Sequence, residues 1–275
     1  YHLYYGDEVG NPGTVLTFFP WGNNGAPAGR PGTGQLTTTA FSIPRESLGY
    51  WTERLVEHGV RFEKPVERFG DSVLHFADPD GIGLELVAEA EDTRPGWQTG
   101  PVPEEHAVRG FESVALSEKE PGRTAELLTG VLGFRRAGEE DGRFRYEAGE
   151  GGSGNRVHLL HQPEGPTGRM GVGAVHHVAF RVPDHESHEE IREEIAKLGY
   201  SVTPVIDRQY FDAIYFREPG GVLFEIATDP PGFTTDETVG ELGTNLKLPP
   251  QYEEHRADLE RTLPELSLPV VGGGK

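Results

Sequence analysis

The sequence predicts an α+β fold of tandem βαβββ modules, in which curled mixed sheets carry their helices on the outside. Three observations predict it. The chain repeats one order of elements, its strand segments alternate apolar and polar residues, and its helical segments end in glycine. A chain of 275 residues is long enough to bury the core of such an array.

The clearest repeat relates residues 37–86 to residues 176–226. Each stretch contains a strand, a helical segment and three further strands, and Glu85 stands where Glu225 stands. A weaker copy lies between them, with a first strand at 110–116 and a helix at 124–133. Because both similarities run through a whole unit, we interpret them as repeats of one supersecondary motif.

The first residues match only the end of such a unit. Residues 1–5 and 14–19 predict two strands joined by a turn at Gly10-Asn11-Pro12-Gly13. We expect them to be the last two strands of a further module, whose first strand and helix would lie upstream of Tyr1. The predicted boundaries are a first-module remnant at 1–34, a second module at 35–92, a linker at 93–107, a third module at 108–163, a fourth module at 172–232, and a tail at 233–275 with one helix, 251–263.

The composition indicates which kinds of partner to expect. A formal net charge of −20 repels nucleic acid and anionic membranes, and we expect neither as a partner. The chain has no cysteine and no apolar run long enough for a membrane span, so a cytoplasmic protein is the expectation. Acidic residues far outnumber lysines. This bias favours a halophilic source, with an ordinary acidic protein as the alternative.

The residues that are best suited to catalysis or metal binding lie in the fourth module. His177 and Glu225 lie on its first and last predicted strands, on the faces that lack the apolar stripe. A carboxylate within the apolar run VLFEIA is costly to bury unless a cation accompanies it. A curled sheet would bring His177 and Glu225 together as metal ligands, although a buried His–Glu hydrogen bond is an alternative. In the copy, Thr38 replaces the histidine, so the glutamate alone is not diagnostic.

The stretches HHVAFRV, IDRQYFDAIYFREPGGVLFEIATDPPGF and LPPQYEEHRADLERTLP resemble ring-cleaving dioxygenases of the vicinal oxygen chelate superfamily, which includes glyoxalases and bleomycin resistance proteins. The most similar branch is that of the hydroquinone and chlorohydroquinone dioxygenases. The resemblance covers nearly the whole chain. It implies four modules, a non-haem Fe(II) centre and cleavage of a dihydroxylated aromatic ring by O2.

The resemblance also implies roles for individual residues. His177 matches one histidine ligand of the iron and Glu225 matches the carboxylate, whereas the other histidine ligand would lie upstream of Tyr1. Tyr215, Arg208 and His176 match active-site residues that do not bind the metal. Mn(II) accepts the same ligand set as Fe(II). The expected partners are a small aromatic diol and O2, and a homo-oligomer is compatible with the sequence.

Two other functions stay open at this point. One is a glyoxalase-like metalloenzyme built on the same modules, and the other is a non-catalytic protein that binds a small molecule. The sequence leaves the ring substituents and the cleavage position undefined. Of the remaining histidines, we expect His185 and His188 to be exposed neighbours at a helix start, and His158 and His161 to lie on opposite faces of a strand.

The acidic surface generates a prediction about salt. Raising KCl from about 0.1 M to about 1 M shortens the Debye length from about 10 Å to about 3 Å, which screens repulsion between carboxylates. We expect the melting temperature, followed by circular dichroism, to rise over this range. A melting temperature that stays level or falls would contradict the halophilic interpretation.

Overall fold

A computed structural model describes residues 1–20 and 25–266, and it contains the strand–helix–three-strand order three times. The predicted α+β fold class is confirmed. The strands and helices in chain order are β1 (Leu3–Tyr5), β2 (Leu16–Phe18), β3 (Gln35–Pro44), α1 (Leu48–Glu57), β4 (Val66–Arg68), β5 (Asp71–Ala77), β6 (Gly83–Glu89), β7 (Gly110–Glu118), α2 (Gly122–Gly130), β8 (Arg135–Glu140), β9 (Arg143–Glu147), β10 (Arg156–His161), β11 (Val178–Val182), α3 (His185–Lys197), β12 (Ile206–Asp207), β13 (Phe211–Arg217), β14 (Leu223–Pro231) and α4 (Arg256–Thr262).

The strands form three sheets. The largest has eight strands in the order β4-β5-β6-β3-β7-β10-β9-β8, and its two halves meet where β3 pairs antiparallel with β7. A four-stranded sheet follows, in the order β11-β14-β13-β12, and β1 and β2 form a separate antiparallel pair. In each complete unit the first strand lies parallel to the last. This arrangement places residues from opposite ends of a unit side by side.

The helices cover the apolar faces of these sheets. One core cluster joins the units of α2 and α3, and a second lies in the unit of α1. Fully buried members of the first cluster are Leu116, Leu128, Leu159, Ile195, Ile214, Phe224 and Ile226. Within residues 1–20 and 25–266, no helix has the length and apolar character needed to cross a bilayer.

Local signals set the ends of α3. The side chain of Asp184 accepts a hydrogen bond from the amide of Ser187 at 2.8 Å, which caps the first turn. After the helix, Gly199 adopts a left-handed conformation with φ of +88°, which a residue with a side chain rarely adopts. The helix therefore begins and ends where the sequence predicts.

Two predicted elements differ from the structure. His176 and His177 precede β11 instead of starting it, because the neighbouring strand β14 begins only at Leu223 and pairs from Val178 onward. The tail helix predicted at 251–263 is divided into a 3-10 helix, Pro250–His255, and the short α4.

The prediction that His188 is exposed was wrong. His188 is buried, and its Nε2 lies 2.9 Å from the carbonyl oxygen of Ile226 in β14. The reason is helical periodicity, since His188 continues the inward stripe of Ile191 and Ile195. His185, by contrast, has a side chain that is 66% exposed, beside Asp212 at 3.1 Å.

A buried pair of carboxyl groups joins the unit of α2 to the unit of α3. Glu118, at the end of β7, and Glu218, after β13, both contact the hydroxyl of Thr124 in α2. Glu218 also accepts hydrogen bonds from the amides of Gly220 and Val222. The Thr124 hydroxyl has one hydrogen to donate, so one carboxyl group must be protonated. Glu118, which accepts no backbone amide, is the better candidate.

Burial, and then the charge of Glu218, raise the pKa of Glu118 from 4.5 to about 8. When a carboxyl group has a higher pKa in the folded protein than in the unfolded chain, the protein loses stability as the pH rises from the lower pKa to the higher one. We expect the free energy of unfolding in urea to fall between pH 5 and 8, by up to about 1.4 kcal/mol per pH unit from this group.

The variant Glu118→Gln keeps the shape of the side chain but cannot ionise. Its stability relative to the wild type should therefore increase as pH rises over this range. A constant difference between the two proteins from pH 5 to pH 8 would contradict the assignment.

Candidate metal and substrate site

His177 and Glu225 meet on the open face of the four-stranded sheet. His177 Nε2 lies 2.8 Å from Glu225 Oε2, and the glutamate side chain is only 3% exposed. The parallel pairing of β11 with β14 places Ala179 opposite Glu225, and His177 reaches over this small residue from just before the strand. The sheet therefore brings the two predicted ligands together.

Tyr215 and Arg208 extend this pair into a chain of hydrogen bonds. Tyr215 faces Glu225 across β13 and β14 and donates from its hydroxyl to Glu225 Oε1 at 2.8 Å. Arg208 Nε donates in turn to the Tyr215 oxygen at 3.2 Å. Burial, followed by the charge of Glu225, raises the pKa of Tyr215 well above its usual value. Tyr215 is thus a protonated donor at neutral pH.

His176 contacts the other ring nitrogen of His177. The two Nδ1 atoms are 2.8 Å apart, so one of them carries the shared hydrogen. Burial and the neighbouring His177 lower the pKa of His176, which favours its neutral form. If His177 Nδ1 donates to His176, His177 Nε2 is left to bind a cation beside Glu225.

The second module shows the same position with different chemistry. Glu85 pairs with Arg68 at 2.8 Å and lies 3.6 Å from His75, which stands where Tyr215 stands. Burial alone would raise the pKa of Glu85, but His75 and Arg68 outweigh it and lower this pKa to about 2. A guanidinium thus balances the buried carboxylate. In the fourth module Tyr215 lies between Arg208 and Glu225, and the imidazole of His177 contacts the carboxylate instead.

His2 lies on a late strand of the predicted first module, which makes it a poor substitute for a histidine ligand, but it is a neighbour of the site whose position the sequence did not predict. Its ring stacks on Phe19 at 4.2 Å between centroids, and Phe19 in turn contacts the ring of His176 at 6.2 Å. Burial first, then the charges of His177 and Arg208, lower the pKa of His2 to about 4. No local pattern marks this residue, because its place depends on how the β1–β2 hairpin packs across the fourth module.

The donor set suits a divalent transition metal. An imidazole nitrogen and a buried carboxylate oxygen converge, and either a proton or a metal cation on His177 Nε2 makes their close contact favourable. Residues 1–20 and 25–266 contain no group of three or more histidine, aspartate or glutamate side chains placed to hold a metal. Within these residues, the structure brings together His177 and Glu225, which the resemblance implies as metal ligands.

A family model settles the relationship of the chain to known proteins. The model described as "Glyoxalase/Bleomycin resistance protein/Dioxygenase superfamily" matches residues 5–86 and 110–226. The chain belongs to this superfamily. The match includes both Glu85 and Glu225.

Curated relatives narrow the comparison within the superfamily. The chain is 45% identical over 96% of its length to the Bacillus subtilis protein named "Putative ring-cleaving dioxygenase MhqO", of which it covers 83%. It is 36% identical over 96% of its length to "Chlorohydroquinone/hydroquinone 1,2-dioxygenase" of Sphingobium indicum, again covering 83% of that protein.

Solved structures agree with the fold. The crystal structure of a "putative dioxygenase" from Bacillus subtilis superposes with a TM-score of 0.91 at 44% identity, over 97% of this chain and 84% of that one. Glyoxalase I from Zea mays shares the fold at a TM-score of 0.54 and 18% identity, over 78% of this chain and 73% of that one.

The environment of His2 generates a prediction. With a pKa of about 4, its imidazole should remain neutral as the pH is lowered from 8 to 5. Nitrogen-15 NMR of the histidine rings, with the His2 signals assigned by their loss in His2→Gln, measures this directly. A titration midpoint near 6.5, the ordinary value for histidine, would contradict the placement of His2 in a buried, positively charged environment.

Proposed function

We propose that the chain is a ring-cleaving dioxygenase that opens a hydroquinone- or catechol-type ring with O2 and uses Fe(II). The observation that carries the proposal is the convergence of His177, Glu225, Tyr215 and Arg208 on one face of the fourth module. Support comes from the chain's similarity to a protein whose name includes hydroquinone 1,2-dioxygenase.

His177 and Glu225 are the residues that would hold the metal. One imidazole and one carboxylate belong to the ligand set of non-haem Fe(II) oxygenases, and Mn(II) accepts the same donors. When bound, the metal would provide the route for electrons from the electron-rich ring to O2. Tyr215 fixes the Glu225 carboxylate by donating to Oε1 and leaves Oε2 directed at His177.

The remaining side chains would position and deprotonate the substrate. A phenol must lose a proton before its ring becomes electron-rich enough to react, and His176, which contacts His177, is the histidine that would accept it. His2, with its pKa of about 4, is neutral at physiological pH and too weak a base to hold that proton, so it would accept a hydrogen bond from the substrate. Arg208 supplies a permanent positive charge beside the Tyr215 hydroxyl, where it would stabilise a phenolate oxygen.

Variants of three of these residues test the proposal. We expect His177→Ala and Glu225→Gln to abolish Fe(II) binding in an anaerobic titration and O2 uptake with hydroquinone, because each removes a ligand. Tyr215→Phe should keep Fe(II) binding and lower kcat by roughly 10²-fold, since it removes the donor but not the ligands.

The second module offers matched controls. Thr38→Ala changes the residue at the His177 position of that module, and His75→Gln changes the residue at the Tyr215 position. Both should bind Fe(II) and consume O2 like the wild type. Two outcomes would show that the proposal is wrong. In one, the controls lose activity as strongly as the fourth-module variants. In the other, neither hydroquinone nor catechol stimulates O2 uptake by the Fe(II)-treated protein.

A further inference from the structure

Two of the groups that would contact the substrate lie on segments with little support of their own. His2 belongs to the β1–β2 hairpin, whose strands form no hydrogen-bonded ladder with either larger sheet. Arg208 lies in the turn between the two-residue strand β12 and β13. The next residue, Gln209, has a φ of +70°, which is unfavourable for a residue with a side chain. Something outside these segments must fix their positions.

Phe233, just after β14, contacts both segments. Its ring centroid lies 5.3 Å from that of Tyr4 in the hairpin and 4.8 Å from that of Tyr210 in the turn, and the two tyrosine rings are 6.2 Å apart. The hairpin is also shaped to fit this ring. A side chain at Gly10 would place its Cβ 2.6 Å from the Phe233 ring, so only glycine allows this approach.

The hairpin contact leads to His2. The Tyr4 hydroxyl and His2 Nδ1 are 2.7 Å apart, close enough for a hydrogen bond. Such a bond at one nitrogen determines which role the other nitrogen can take. Phe233 thus packs against the residue whose hydroxyl contacts the His2 ring.

The turn contact leads to Arg208. Tyr210 accepts a backbone hydrogen bond from Gly232 at 2.9 Å, directly before Phe233. Three residues later, Asp236 accepts a hydrogen bond from the Gln209 side chain at 2.6 Å. The tail thus contacts the turn on both sides of Phe233. This contact holds the backbone that directs Arg208 toward Tyr215.

We propose that Phe233 is a positioning residue that places His2 through Tyr4 and Arg208 through Tyr210, while taking no part in metal binding. The inference rests on the proposed dioxygenase function for its catalytic consequence. Its structural content does not depend on that function, because the positions of His2 and Arg208 can be measured without turnover.

The first test is NMR of the full chain without substrate. We expect Phe233→Ala to shift or broaden both the His2 ring-nitrogen signals and the Arg208 Nε signal, assigned through His2→Gln and Arg208→Lys. Phe233→Leu, which keeps an apolar side chain, should restore them in part. Tyr252→Ala is the matched control, since Tyr252 is an aromatic residue of the same tail with a 51% exposed side chain.

Two results would overturn the proposal at this stage. One is wild-type positions for both signals in Phe233→Ala, and the other is an equal disturbance in Tyr252→Ala. Amide signals of the second module report whether Phe233→Ala remains folded. If that variant unfolds, Phe233→Leu takes its place, and a change in the same two signals relative to the wild type decides.

The second test separates positioning from a general loss of structure. We expect kcat with hydroquinone to fall on the order of 10²-fold in Phe233→Ala, with Fe(II) affinity unchanged because His177 and Glu225 are untouched. A parallel loss of Fe(II) affinity would overturn the positioning role. If the wild type itself shows no turnover, the proposed function fails, and the NMR result still decides the role of Phe233.

Discussion

A buried carboxylate in a central strand is the constraint on which the fourth module depends. Glu225 lies within an apolar run, is almost completely buried, and cannot remain there without partners. Tyr215 satisfies one oxygen and His177 faces the other. The parallel pairing of the first and last strands makes this arrangement possible. It places the small residue Ala179 beside Glu225, and His177, which precedes the strand, reaches over that alanine to the carboxylate.

The same position in each unit holds a different pair of side chains. An alanine of the first strand lies beside a polar residue of the last strand, which in turn faces a polar residue of the third. The three sets are Ala40, Glu85 and His75; Ala115, His158 and Arg145; and Ala179, Glu225 and Tyr215. The backbone pairing thus stays constant while the polar side chains at this position change. In the unit of α1, Arg68 pairs with the buried carboxylate, whereas in the unit of α3 the imidazole of His177 contacts it.

The repeat made the fold predictable, because strand and helix periods recur with the same turns, and face alternation was sufficient to pair His177 with Glu225. Contacts between units, by contrast, have no repeating pattern in the sequence and could not be predicted from it. The place of His2 depends on hairpin packing, and the carboxyl pair of Glu118 and Glu218 joins residues about a hundred positions apart. The burial of His188 could have been found, since it continues the stripe of Ile191 and Ile195.

The contacts of Phe233 also mean that different parts of the chain place different parts of the site. The pairing of β11 with β14 places His177 beside Glu225, whereas the Phe233 ring contacts the hairpin that carries His2 and the turn that carries Arg208. A substitution in the hairpin, the turn or the tail can therefore alter the surroundings of the His177–Glu225 pair while the sheet pairing that forms it stays the same. Divergence within such a family can act on these two parts of the site independently.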